Sequence, residues 1–337
     1  MADTPNSQQK PSLNQENDQR MRNILTRVGV PGAIVVAAMF IFSTFLSEDQ
    51  QDKVADWFGP AAPTDTINVE ITDAEDEIKE EEAWVDTLMD YFPNDSSVVV
   101  DHEYFTLSYS EPNEQAEWVA YELSGANLRT FAFQRRTSFR KDPKVPTESA
   151  SSSHYTNSGY DRGHLAPAAD MAYSEEAMKR SFYMSNVSPQ LPGFNRGIWK
   201  ELEEQTRDWA RGCEHLYVVT GPVLTKKGQK TLKGNVLAPA AFYKILLDLQ
   251  SPSPRAAAFL MPNESSDERL SQYMISIDSL EAITGIDFFP ELPDNMEATL
   301  EADDFIGKWP YDEQRYQLRV SLWNQQARMA SLARQFE

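Results

Sequence analysis

Cysteine occurs once in the 337 residues, at Cys213, which excludes an intramolecular disulfide and any multi-cysteine zinc site. The lone thiol reads as a small buried apolar group rather than a nucleophile. A chain this long can build a sufficient core without disulfide staples, so their absence does not bar a location outside the cytoplasm. Histidine is nearly as scarce, with four, so imidazole chemistry has few places to be. Positive charge is short as well: 31 basic residues face 52 acidic ones, for a formal net charge of −21. Averaged over the surface, that balance argues against a polyanionic partner. No internal repeat is evident, which removes solenoids and propellers. With hydrophobic residues at 41% and aromatics at 11%, the chain is nonetheless rich enough to fold as a globular protein.

Long apolar runs are missing apart from one. VGVPGAIVVAAMFIFSTFL, Val28–Leu46, carries no charge and approaches the ~20 residues that a membrane-crossing helix needs. Arg20, Arg22 and Arg27 precede it, while Glu48, Asp49 and Asp52 come after it. That asymmetry predicts a polar, disordered leader at 1–27 in the cytoplasm, an anchor at 28–46, and the remainder across the membrane. A cleaved signal peptide competes with this reading, but the run exceeds the usual ~7–15 residues and STFLSED offers no A-x-A site. The expectation is a single-pass protein of a bacterial inner membrane, its folded part facing the periplasm.

Past the anchor, charge is unevenly spread. Residues 47–99 read as an acidic linker, heaviest at DAEDEIKEEEAWVD (Asp73–Asp86), with a short helix striped by Trp84, Val85, Leu88 and Met89 and ended by Pro93. In RTFAFQRRTSFRKDPK the sign reverses, with Arg129, Arg135, Arg136, Arg140, Lys141 and Lys144 against Asp142. Strand-like segments fall at Glu103–Ser110, Trp118–Leu123, His215–Gly221, Ala240–Leu249 and Ala256–Pro262. Helix-like ones fall at Ser174–Met184, Ile198–Gly212 and Ser276–Gly285, the last with a serine cap and a glycine stop. Strands that cluster and then alternate irregularly with helices predict an α+β protein with a mainly antiparallel sheet flanked by helices. A terminal helix is expected within residues 311–335, in a helical tail spanning 292–337.

The chemistry concentrates in GYDRGHLAPAADM, Gly159–Met171, and in the segment downstream of it. His164 is the one histidine set beside an acid, an arginine and a glycine; His102, His154 and His215 read as structural or exposed. Farther along, Asn195, Trp199 and Glu203 are spaced by four, so a helix that included Asn195 would project all three to one side. Asn195 and Glu203 would then stand about 12 Å apart along the axis. Two such groups can share one ion through a water, with the amide oxygen in direct contact, and magnesium suits that arrangement because it keeps several waters. The plainer alternative makes Asn195 a helix cap and Glu203 an exposed acid. With His164 added, the set is complete for phosphodiester hydrolysis: a base, a hydrated cation and an arginine fork for the phosphate oxygens.

DRGHLAPAADM, SNVSPQ, FNRGIWKELEE and TGPV, in that order, resemble the DNA/RNA non-specific endonuclease family, over about Tyr104–Pro290. The resemblance implies a ββα-metal nuclease fold at 100–291, preceded here by the single transmembrane helix. It implies that His164 is the general base, that Asn195 is the direct protein ligand of Mg2+, with Mn2+ as a substitute, and that Glu203 acts through the metal's water. Arg162 would stabilise the phosphate region, and the family's upstream arginine maps to Arg135 or, one register away, Arg136. Arg140 and Lys141 extend that substrate-binding stretch, while Asp161, Gly163 and Asn186 support the site. The substrates would be DNA and RNA, with the bilayer, a homodimer and a protein inhibitor as further partners left open. Two alternatives stand beside this: a catalytically silent nucleic-acid-binding or DNA-uptake protein, and a phosphodiesterase for small substrates.

Overall fold

In a computed structural model of the chain, Pro93 and residues 98–130, 132–134, 138–225, 229–250, 254–302 and 308–333 are described. The anchor at 28–46, the leader before it, nearly all of the 47–99 linker with its short helix, and Arg135 and Arg136 lie outside them. No described helix is long and apolar enough to cross a membrane.

Seven strands form one sheet in the order β1–β2–β3–β6–β7–β8–β9, every neighbouring pair antiparallel. They are β1 Val98–Asp101, β2 Thr106–Ser110, β3 Gln115–Leu123, β6 Leu216–Pro222, β7 Ala241–Asp248, β8 Arg255–Pro262 and β9 Met274–Ile275. A separate two-stranded pair joins β4, Asp161–His164, to β5, Val187–Gln190. The helices that matter below are α1 Glu175–Ser181, α2 Trp199–Ala210, α3 Ile277–Thr284, α4 Asp294–Ala302, α5 Glu313–Leu318 and α6 Asn324–Ala333. The protein is therefore α+β with an antiparallel central sheet, as its pattern of segments predicts.

β7 shows how the sheet carries both layers. Its eight residues are all buried, and successive side chains alternate between faces. Phe242 stacks on Phe194 at 5.3 Å and lies 5.8 Å from Trp199, so that face carries α2. Tyr243 points the other way, edge-on to Phe288 at 5.3 Å. Trp199 is fully buried, and truncating an aromatic anchor of this kind costs about 3–5 kcal/mol. The expectation that Trp199 shares a side with Asn195 and Glu203 is thus corrected. Its indole plugs α2 into the sheet, while the two polar residues face a cleft.

Local signals account for the helix ends. The Ser276 hydroxyl accepts from the Ser279 amide at 3.2 Å, and Gly285 closes α3 at a φ of 73° that suits glycine. The tail also forms the expected helix: α5 and α6 run on through a π-helical turn, Arg319–Trp323.

Candidate active site

The site is built on β4, β5 and α2. Pairing sets Asp161 against Gln190, Arg162 against Pro189, Gly163 against Ser188 and His164 against Val187. Buried amides moor this small pair to the main sheet. Asn263 donates to Pro189 O at 3.0 Å and Pro239 O at 2.9 Å, and it accepts from the Leu191 amide at 2.8 Å. The Gln115 carboxamide oxygen accepts from the Ser188 hydroxyl at 2.5 Å. Asn186 grips the chain just after His164, accepting from Ala166 N and donating to Ala166 O, both at 2.9 Å.

Between β5 and α2 the chain makes a π-helical turn, Phe194–Ile198, within which Gly197 leaves helical backbone (φ −106°, ψ −111°). Asn195 therefore precedes the regular helix across an irregularity, and the straight 1.5 Å rise does not extend from Glu203 back to it. Both residues nonetheless line one cleft of about 1480 Å³, together with Asp161, Arg162 and His164.

Asp161 organises the mouth of α2. It takes both prongs of Arg196, at 2.7 Å each, and accepts from Asn195 Nδ2 at 3.1 Å. Because the amide nitrogen is committed to Asp161, the Asn195 carbonyl oxygen is turned away from it. His164 is 6% exposed, its ring held between Phe139 at 5.2 Å and the edge of Phe182 at 4.7 Å. Arg162 donates to Ser152 O at 2.6 Å and to Thr156 Oγ1 at 3.3 Å, while its buried Nε has no hydrogen-bond partner.

Beneath the cleft lies a buried charge network that no motif of the sequence signals. Arg207, one turn past Glu203, donates to Asp170 at 2.7 Å, and Tyr121 donates to the same carboxylate at 2.7 Å. Lys244, wholly buried on β7, donates to Thr220 Oγ1 at 2.6 Å. Burial brings its ammonium down to about 8 against the opposing pull of Asp170 and Glu203. Arg207 could have been found from its four-residue interval to Glu203; nothing in AAFYKILLDL marks Lys244.

The cations of the cleft come from unexpected places. Arg162, Arg196, Lys200 and Arg207 line it, against Asp161, Glu203 and Glu204, so it is locally positive in a strongly acidic chain. Arg140 and Lys141, expected to bind substrate, do not line it. Arg140 lies over the Tyr183 ring at 4.5 Å, and Lys141 pairs with Glu148 on the surface. The other histidines are engaged elsewhere: His102 with Asp142 and His215 with Glu122, at 2.8 and 2.7 Å, and His154 in a capping box with Ser151. Cys213 is buried beside Asp248. One wall of the cleft belongs to the tail, through Trp323, Gln326, Ala327 and Ala330. Lys200 sits over the Trp323 ring at 3.6 Å.

The donor set can be tested against a metal ion. An amide oxygen fixed by its own nitrogen's bond, with a carboxylate in the same cleft, offers oxygen alone and so fits a hard divalent cation.

Residues 87–295 match the family model described as DNA/RNA non-specific endonuclease. Nuclease C1 of Cunninghamella echinulata var. echinulata is 34% identical over 216 residues, covering 59% of this chain and 86% of its own length. Human mitochondrial endonuclease G is 34% identical over 204 residues, covering 56% of this chain and 69% of its own. A solved endonuclease G in complex with EndoGI, described in terms of inhibition, is 28% identical. It covers 62% of this chain and 92% of that one, with a TM-score of 0.57. The tail residues that wall the cleft fall outside the matched span.

Proposed function

The chain belongs to the DNA/RNA non-specific endonuclease family, a metal-dependent nuclease by that membership, and on that premise we propose that it hydrolyses phosphodiesters of both DNA and RNA with His164 as general base and magnesium as its cation. The observation that carries this reading is the convergence of His164, Arg162, Asn195 and Glu203 on one positively lined cleft.

A ring nitrogen of His164 takes the proton from the attacking water, and the flanking Phe139 and Phe182 hold the imidazole plane for it. Arg162 donates Nε to a phosphate oxygen while its Nη2 stays anchored on Ser152 O, so the guanidinium arrives preorganised. Asn195 and Glu203 hold the cation, the first by its carbonyl oxygen and the second through water. When bound, the cation neutralises charge that develops on the phosphate and the leaving oxygen. Arg196 and Lys200 bind backbone phosphates without reading bases. The acidic remainder of the surface repels nucleic acid elsewhere and so favours productive docking. Arg135 or Arg136 makes a further phosphate contact in this proposal.

The test is cleavage of supercoiled plasmid and of single-stranded RNA by the wild-type chain and by His164→Ala, with magnesium and with EDTA. Cleavage of both substrates by the wild type alone, lost in EDTA, is expected. Persistent cleavage by His164→Ala requires another base. The proposal extends to an anchor at Val28–Leu46 that places the nuclease domain outside the bacterial inner membrane. A periplasmic reporter fused after residue 60 that stays inactive removes that part.

A further inference from the structure

On the sheet face turned away from Phe242 and the cleft, α3 and α4 meet at a group of carboxylates that phosphodiester hydrolysis does not use. Asp278 and Glu281 stand three residues apart on α3, hence on one side of it. Glu301 comes from the last turn of α4. One oxygen from each lies within 4.8 Å of the others. Glu301 is only 6% exposed, and its Oε1 has no hydrogen-bond partner. Glu281 is partly satisfied by the Phe288 amide, at 2.8 Å.

A buried oxygen left without a donor is rare and costly. Here the surroundings compound that cost. The charges pressing on Glu301 are those of Glu281, Glu297, Asp278 and Asp287, all of its own sign, and with burial they push its carboxyl up to about 8. The same causes push Glu281 up to about 7, against the Phe288 bond. Either a shared proton or a cation relieves such a cluster. Three carboxylates offer oxygen alone, so the cation is a hard one. Ligands on opposite sides of calcium, at about 2.3–2.6 Å each, stand up to roughly 5 Å apart; around magnesium, at about 2.0–2.1 Å, they stand roughly 4 Å apart. The observed spread of up to 4.8 Å suits the larger ion.

We propose that Asp278, Glu281 and Glu301 form a second, structural divalent-cation site, selective for calcium, that ties α4 to α3. The family match ends at residue 295, within α4, so this ion clamps the chain where it leaves the family domain for the tail that walls the cleft. The site is separate from the nuclease reading and does not depend on it.

The experiment uses the full chain carrying Asn195→Ala, stripped with EDTA and titrated at pH 8 with calcium chloride by calorimetry and thermal unfolding. Asn195→Ala removes the cleft's contribution. One calcium per chain is expected, with a rise in midpoint of roughly 5 °C at saturation. Adding Glu281→Gln and Glu301→Gln should abolish both signals, while the midpoint in EDTA stays level or rises because the repulsion has gone. No calcium-dependent signal in the Asn195→Ala chain overturns the site, as does an unchanged signal in the Gln variant. An equal response to magnesium overturns the selectivity. A midpoint that responds to acid but not to calcium shows that the cluster holds a proton instead, and also overturns it.

Discussion

Asp161 holds Asn195 by its amide nitrogen at 3.1 Å while the same carboxylate carries the Arg196 fork. One acid thus orients the residue proposed as the direct metal ligand and anchors a cation of the cleft. Outer partners of this kind are typically worth about 10–100-fold in metal affinity or activity. Asp161→Asn is expected to lower kcat within that range and raise the magnesium concentration giving half-maximal rate, with little change in thermal midpoint. A magnesium dependence identical to the wild type would show that Asn195 does not rely on Asp161.

Gly163 sits where β4 presses against Gln190. A Cβ built there would fall 2.1 Å from the Gln190 Oε1, and Gln190 is fully buried. Overpacking of this sort costs about 1–3 kcal/mol. Gly163→Ala is expected to lower the unfolding midpoint and, because its neighbours are Arg162 and His164, to slow cleavage more than stability alone explains. Pairing it with Gln190→Ala should recover most of the stability. Additive losses in the double variant would reject the contact.

These two residues show what the sequence discloses and what it hides. DRGH and FNRG announced the chemistry, yet β4 and β5 were not legible as strands. Each is four residues long, β4 contains a glycine and β5 a proline, and neither alternates polar with apolar. β7 was legible because its residues are apolar or aromatic on either side of Lys244, and α3 because Ser276 and Gly285 bracket it. The four-residue interval from Asn195 through Trp199 to Glu203 misplaced Trp199, since its indole reaches the sheet and Gly197 interrupts the helix that the interval assumes. The basic run around Arg140 drew attention by composition. The cations that line the cleft are instead scattered singly through DRGH and α2, where only folding collects them.

Cys213 gives a pH dependence with a fixed sign. Burial, with the Asp248 carboxylate accepting from the thiol, pushes it up to about 11, against the pull of Arg255. The thiolate is the reactive form, so native alkylation by iodoacetamide is expected to be slow at pH 7 and to rise about tenfold per pH step toward 11. The native state holds this proton more tightly than the unfolded chain does. The group's contribution to stability is therefore present below pH ~9 and lost as pH rises through 11. Rapid labelling at pH 7 under conditions where the protein stays folded would contradict both statements.

The last expectation concerns how the tail is held against the cleft. Arg319 is wholly buried and pairs with the buried Glu201 of α2, while its remaining nitrogens donate to Ser266 O and Glu268 O. Asn324 adds bonds to Ser266 O at 2.9 Å and Asp267 Oδ1 at 2.6 Å. Even beside Arg319, burial keeps the Glu201 carboxyl above its usual range, so the pair is expensive to desolvate and more expensive to break. Removing one partner of a buried pair costs about 3–5 kcal/mol, whereas replacing both by apolar groups is often neutral. Arg319→Ala is thus expected to release the tail, read as lost hydrogen-exchange protection across 313–333 and a changed KM for nucleic acid, since Trp323 and Gln326 would leave the cleft wall. Glu201→Leu with Arg319→Met should keep the protection that Arg319→Ala loses. If Arg319→Ala instead leaves exchange in the tail unchanged, the apolar contacts of Trp323 and Ala327 hold it there, and the ion pair serves only to satisfy Glu201.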